Sequence, residues 1–236
     1  MAGDAGRLWI VADEQTAGRG RRGRNWVSRK GNLHCSALMI DPCMPAVASQ
    51  LGFVAGVALA RAAKDLGATD VGLKWPNDLM LGGAKCAGIL VEGAGVGGGR
   101  AAYVVGVGVN CTHAPEGLAY KTACLGQAAA PAAAPGEVLE HLVRRFDEAL
   151  DSWRAGQAFD HIRAAWLDYA WGLGERITVQ NGADRREGVF EGIDATGRLL
   201  IRSNRGLQTI EAADLSLSPR WDAVAPLGFS AAARSA

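Results

Sequence analysis

The sequence predicts an α+β protein: a mixed β-sheet with helices packed on one face, followed by a small β-domain. Two changes of hydrophobic period carry that expectation. Up to Gly172, short apolar runs alternate with long stretches of helical period; after it, strand-length runs follow one another, separated by glycine turns. A third observation is bulk composition. With 236 residues, 49% hydrophobic and 21% charged, the chain can bury one medium core and a smaller one. The expected division is 1–172, 173–220 and a tail, 221–236.

The elements follow in order. Leu8 to Ala12 is a short apolar run and reads as a buried strand. Asp13 to Gly31 is polar, glycine-rich and basic, without period, and reads as a long loop. Leu33 to Ile40 resumes a strand. From Pro45 to Leu66, apolar residues recur at Leu51, Val54, Ala55, Ala58, Leu59 and Ala62, the spacing of an amphipathic helix that Gly67 can end. Val71 to Trp75 is a strand stopped by Pro76. Leu79 to Leu81 and Lys85 to Val91 flank Gly82-Gly83 as a hairpin. Gly93 to Gly99 reads as a flexible turn before a strand at Tyr103 to Val109, and Ala128 to Pro135 as a surface connector. Helical period returns at Val138, Leu142, Phe146, Ala149 and Trp153, then at Phe159, Ile162, Trp166 and Tyr169. Four strands follow, at Arg176 to Gln180, Gly188 to Ile193, Leu199 to Arg202 and Gln208 to Glu211. Asn181-Gly182, Thr196-Gly197 and Arg205-Gly206 mark the turns, a pattern that suggests a small barrel. The chain from Ala223 reads as a frayed tail.

Charge and cysteine usage narrow the classes. Lys and Arg number 25 against 24 Asp and Glu, so the molecule as a whole is not built for nucleic acid. The five cysteines form no C-x-x-C pair, and the four histidines have no metal-ligand spacing; buried thiols in a reducing compartment are the expectation. The start lacks the apolar stretch of a signal peptide, and no run approaches the roughly 20 apolar residues of a membrane span. A cytoplasmic enzyme is expected.

Three segments carry chemistry. In Gly18-Arg19-Gly20-Arg21-Arg22-Gly23-Arg24-Asn25-Trp26, glycines let the backbone approach an anion that guanidinium forks surround. Phosphate and carboxylate ligands suit it; a disordered basic loop or an RNA-binding tract would have the same composition, and Trp26 favours a lid over a bound ligand. Lys74-Trp75-Pro76-Asn77-Asp78 and Lys85 place two ammonium groups and one carboxylate around a tight hairpin. Gly106-Val107-Gly108-Val109-Asn110 has a G-x-G without a third glycine or a following helix. It reads as a strand end where a ligand packs close, with Asn110 as a polar contact, and not as a dinucleotide fingerprint.

Taken together, Glu14-Gln15-Thr16-Ala17 before GRGRRGRNW, the GNL at Gly31 to Leu33, KWPND, KCAGILVE and GVGVN resemble the catalytic domain of biotin protein ligases in order and approximate spacing. The β-rich C-terminal part resembles that family's small SH3-like barrel. The resemblance implies a fold related to class II aminoacyl-tRNA synthetases, and an enzyme that uses ATP and Mg2+ to make biotinyl-AMP. Biotin would then pass to a lysine of the biotin carboxyl carrier domain of a carboxylase. Carried over, biotin binding falls on Gln15, Arg19, Gly20, Arg21 and Lys85, and catalysis on Lys85, Arg21 and Asp78. Arg22, Arg24, Trp26, Lys74, Asn77 and Asn110 fall around the nucleotide and the lid; magnesium ligands are not identified. No helix-turn-helix precedes the catalytic part, so the chain resembles the ligases that are not DNA-binding repressors. The family's Ser-Thr-Asn segment, which contacts the biotin ring, has no counterpart before Arg7. Weak biotin binding, an open edge at Leu8 to Ala12 and an upstream reading frame that supplies the segment are the expectations. A lipoate or octanoate ligase or transferase of related fold is the alternative, and an RNA-binding module the distant one.

Overall fold

In a computed structural model, the structure describes residues 7–128, 133–181, 183–211 and 214–217. A six-stranded sheet has the order β1 (Leu8–Ala12), β2 (Leu33–Ile40), β6 (Arg100–Val109), β5 (Ala84–Gly97), β4 (Asp78–Leu81), β3 (Val71–Lys74). These strands pair antiparallel throughout, and two isolated bridges, Leu73 with Ala170 and Lys85 with Thr122, are parallel. The helices α1 (Leu51–Asp65), α3 (Pro135–Trp153) and α4 (Phe159–Leu167) lie together, α1 against β3 to β6 and α3 against β2; α2 (Leu125–Ala128) is a single turn. The opposite face of the sheet is left for the site.

α1 carries its apolar residues almost all round and is buried nearly all round, because α3 and α4 cover the side that an amphipathic helix would leave wet. By length and composition, Pro45–Asp65 could cross a membrane, contrary to expectation; packed between sheet and helices, it is a core helix. Gly56 lets the Trp166 indole within 3.6 Å of where a Cβ would stand, and Phe53 meets Trp166 and Phe159 edge-on. α3 is the amphipathic one, burying Val138, Leu142, Phe146, Ala149 and Trp153 along one stripe. Trp153 Nε1 donates to Gln50 Oε1 at 2.7 Å, so both polar groups are satisfied inside.

Two expectations change. Leu8–Ala12 is a strand but not a buried one: β1 is an edge, with Leu8, Ile10 and Val11 each half exposed. Gly93 to Gly97 is not a flexible turn but the end of β5, paired with β6; a strand needs only backbone N–H and C=O, and the Tyr103 ring fills the space beside Gly93. The turn itself is Gly98-Gly99, both at positive φ. The expected surface connector falls mostly on residues 129–132, outside the described residues, as do Gly182 and the tail.

The second sheet has the order β10 (Gly206–Ile210), β9 (Leu199–Ser203), β8 (Asp184–Ile193), β7 (Arg176–Asn181), β11 (Asp214–Leu217). β11 is not expected from the sequence: Asp-Leu-Ser-Leu alternates polar and apolar, but four residues are too short a run to mark a strand. Away from the arginine loop, two side-chain hydrogen bonds help fasten this sheet to the first unit. Trp75 Nε1 donates to Gly197 O at 3.0 Å, and Arg163 Nε donates to Ile193 O at 2.6 Å. Gly197 has positive φ and faces the Phe53 ring at a distance that leaves no room for a Cβ.

Candidate active site

β5 and β6 run side by side with Gly88 directly opposite Gly108. Neither has a side chain, so the sheet offers a flat floor of bare backbone. The Trp26 indole lies on it: a Cβ on Gly108 would stand 2.5 Å from Trp26 Cε2, and one on Gly88 3.2 Å from Trp26 Cζ3. Around this floor opens a cavity of about 780 Å3, in the range of small-molecule sites. Its walls are the loop from Gln15 to Trp26, the hairpin Lys74–Asp78, Lys85, Tyr120, Trp171, and Asp214-Leu215 of the second sheet.

Charge is concentrated here and only part of it is neutralised. Lys85 Nζ stands 2.7 Å from Asp78 Oδ1, both side chains mostly buried, and 5.8 Å from the ring centroids of Trp26 and Tyr120. Backbone bonds hold Lys85 on both sides: its N–H donates to Lys121 O and its carbonyl accepts from Ala123 N–H, each at 2.9 Å. Arg21 donates to Asn77 Oδ1 at 3.3 Å, and Asn77 is itself fixed by donating to Ile89 O at 2.8 Å. Lys74 Nζ lies 5.7 Å from the Trp171 ring. Burial pushes the Arg21 guanidinium and the Lys74 ammonium below their ordinary pKa values, against the attraction of Asp78 and Asp214. Among the described residues, neither cation has a carboxylate within ion-pair distance. Two desolvated positive groups without a direct counter-ion make a seat for an anion.

The loop arginines divide the work. Arg19 turns outward to Glu92 at 3.0 Å, and Arg21 turns into the cavity. Arg22 donates to Asn181 Oδ1 at 2.8 Å, and Arg24 donates to Asp214 Oδ1 at 2.6 Å. Gly20 N–H to Arg24 O and Trp26 N–H to Gly18 O, at 2.7 and 2.9 Å, close the loop on itself.

Of the expected site residues, Gln15, Arg19, Gly20, Arg21, Arg24, Trp26, Lys74, Asn77, Asp78 and Lys85 stand on the cavity wall. Arg22 and Asn110 do not. Arg22 points to the second sheet, and Asn110 is buried behind β6, donating to Ala123 O at 3.2 Å and so anchoring the segment beside Lys85. Asn32 of the GNL motif is also structural: its Oδ1 accepts three backbone N–H bonds from Cys111, Thr112 and His113. Sequence reasoning gave no role to Glu92, the last residue of KCAGILVE, and missed Trp171, Tyr120, Asp214 and Leu215, which sit in no local pattern that marks a site. Cys35 also lines the cavity, but burial pushes its thiol up to about 12, which removes it as a nucleophile near neutral pH. All five cysteines are free.

A cavity that pairs a bare-backbone floor with desolvated cations belongs to a known class. Residues 5–110 match the biotin/lipoate A/B protein ligase family, and residues 172–218 match the biotin protein ligase C-terminal domain. The chain is 40% identical to a biotin--[acetyl-CoA-carboxylase] ligase of Paracoccus denitrificans, over 90% of this chain and 91% of that one. It is 30% identical to the enzyme of that name from Mycobacterium tuberculosis, over 87% and 77%. A structure of the Aquifex aeolicus biotin protein ligase in complex with biotin and ATP superposes with a TM-score of 0.78 at 28% identity, covering 89% of each chain. The chain belongs to the biotin protein ligase family.

Proposed function

We propose that this chain joins biotin to ATP, giving biotinyl-AMP and pyrophosphate, and then passes biotin to a lysine of the carboxyl carrier domain of a biotin-dependent carboxylase. The observation that carries the reading is the seat itself: Lys85 paired to Asp78, with desolvated Arg21 and Lys74 around a glycine floor. The fused rings of biotin suit the strip over Gly88 and Gly108. Trp26 covers that strip with its Nε1 buried and without a hydrogen-bond partner, so the indole is the group to swing away and close again over the bound ligand.

In the first step a carboxylate oxygen of biotin forms a bond to the α-phosphorus while the bond to pyrophosphate breaks. Two like unit charges about 4 Å apart repel by roughly 4 kcal/mol at an effective dielectric near 20. Lys85 and Arg21 offset this where the charge crowds, in the transition state more than in the separated reactants. Lys74 faces the polyphosphate. In the second step the acceptor amine attacks the biotinyl carbonyl, an amide forms and AMP leaves. Asp78, freed when Lys85 turns to the phosphate, orients the amine and takes its proton.

Among the described residues no three His, Cys, Asp or Glu side chains cluster to hold a metal ion. Magnesium arriving with ATP would offset the charge of the departing pyrophosphate, and no residue here is assigned to hold it. The test is biotin-dependent exchange of pyrophosphate into ATP, with transfer to a carrier domain as the second readout. Exchange supported by lipoate or octanoate and not by biotin would overturn the assignment, as would RNA binding without exchange.

A further inference from the structure

The arginine loop is closed by its own backbone bonds and is also held from outside. Arg22 sits at φ 57°, a left-handed conformation that disfavours a side-chain-bearing residue, immediately before Gly23 at φ 71°. Beside the loop's own backbone bonds and the contacts of Arg19 and Arg21 with the first unit, the side-chain contacts of Arg22 and Arg24 run to the second sheet. Asp214, the first residue of β11, stands 2.6 Å from Arg24 Nη2 and 3.5 Å from Arg22 Nη1. Asn181, at the end of β7 beside it, accepts from Arg22 at 2.8 Å. Among the described residues, Asp214 is the one carboxylate in ion-pair contact with either arginine. It also stands on the cavity wall, close enough to attract Arg21 and Lys74.

We infer that Asp214 is a positioning residue of the adenylation site, a latch by which the C-terminal barrel holds the arginine loop closed over the activated intermediate. The inference rests on the functional reading above and adds a residue to it. Asp214 touches no reacting atom. It neutralises the outer arginines, Arg22 and Arg24, and leaves Arg21, between them and the floor, to the phosphate. The barrel thereby acts on retention of the adenylate without entering the chemistry.

The experiment uses the full chain with biotin and ATP-magnesium. Biotinyl-AMP release from the preformed complex is followed by rapid filtration, and labelling of bystander proteins by blotting. Asp214→Asn should speed release by roughly 5-fold, the factor to which about 1 kcal/mol converts, at the upper end for a half-exposed ion pair. Arg24→Gln should do the same without touching the barrel, so a folding defect in the first variant does not decide the matter. The exchanged pair Arg24→Asp with Asp214→Arg should retain the adenylate better than either single change. Unchanged release in both neutral variants overturns the latch. So does a lower KM for ATP without faster release, which would make Asp214 a competing anion. If the parent chain makes no adenylate from biotin, the functional reading falls. The latch remains testable then through trypsin cleavage after the loop arginines of the ligand-free chain, which Asp214→Asn should accelerate.

Discussion

Replacing Lys85 with Ala separates stability from chemistry at one position. The ammonium is 2.7 Å from Asp78, where an effective dielectric of 20 gives an attraction of about 6 kcal/mol before desolvation is charged against it. The side chains are 20% and 16% exposed, so much of that attraction is offset by the water both groups gave up. Removal of the lysine leaves the Asp78 carboxylate without its cation, at an expected cost of about 1–3 kcal/mol. Chemistry should suffer more: a preorganised charge lost from a phosphoryl transition state is worth roughly 100-fold or greater in rate. Urea denaturation and pyrophosphate exchange measure the two effects side by side. The double variant Lys85→Met/Asp78→Leu removes both charges together and should recover most of the stability and none of the exchange. Exchange by Lys85→Ala within a few-fold of the parent would refute the placement of the reaction centre. Recovery of exchange in the double variant would show that the single change acted through folding.

Three further outcomes are expected. Gly108→Ala places a methyl group in the space now held by Trp26, and overpacking of about 1–3 kcal/mol should weaken biotin binding by roughly 10-fold; titration calorimetry with an unchanged Kd would remove the glycine strip from the ring's seat. Lys74, with its pKa lowered by burial, is drawn back up by bound polyphosphate, so the KM for ATP should climb as pH rises through the free enzyme's Lys74 pKa. Lys74→Arg, charged throughout, should flatten that climb, and an identical pH profile would refute it. Far from the site, the Asp65 carboxyl is held at about 2, first by its hydrogen bond from Arg145 and then by His141 and Arg144, which ties the end of α1 to α3. Because its folded pKa lies below the ordinary value, its stabilisation is complete above about pH 4 and is lost as pH falls through about 2. Asp65→Asn should therefore lower Tm at pH 6 and make little difference near pH 2; an equal drop at both would show a packing effect.

Local chemistry made much of this protein legible. Period alone marked the helices and nearly all the strands, because an apolar stripe at 3.6 residues or a run bounded by glycine has few ways to be buried. The arginine loop, KWPND and Lys85 could be read together as a candidate anion site from residue type, since guanidinium and ammonium groups beside glycines suit phosphate and carboxylate, though the loop alone fitted a basic tract or RNA as well. What no local pattern contained was which groups meet across the chain. Gly88 and Gly108 become one floor only through the register of β5 and β6. Asn110 looks like a ligand contact in its motif, but just past the end of β6 it is buried off the cavity wall and donates to Ala123 O. Asp214 is an unremarkable acidic residue in sequence; 190 positions separate it from Arg24, and only the docking of the second sheet against the first brings them to 2.6 Å. Sequence determined the kind of charge and the flexibility available at each position, which are properties of single residues and short spans. Tertiary structure decided which charges are neutralised and which are left waiting for a substrate, because that depends on distance and on exclusion of water.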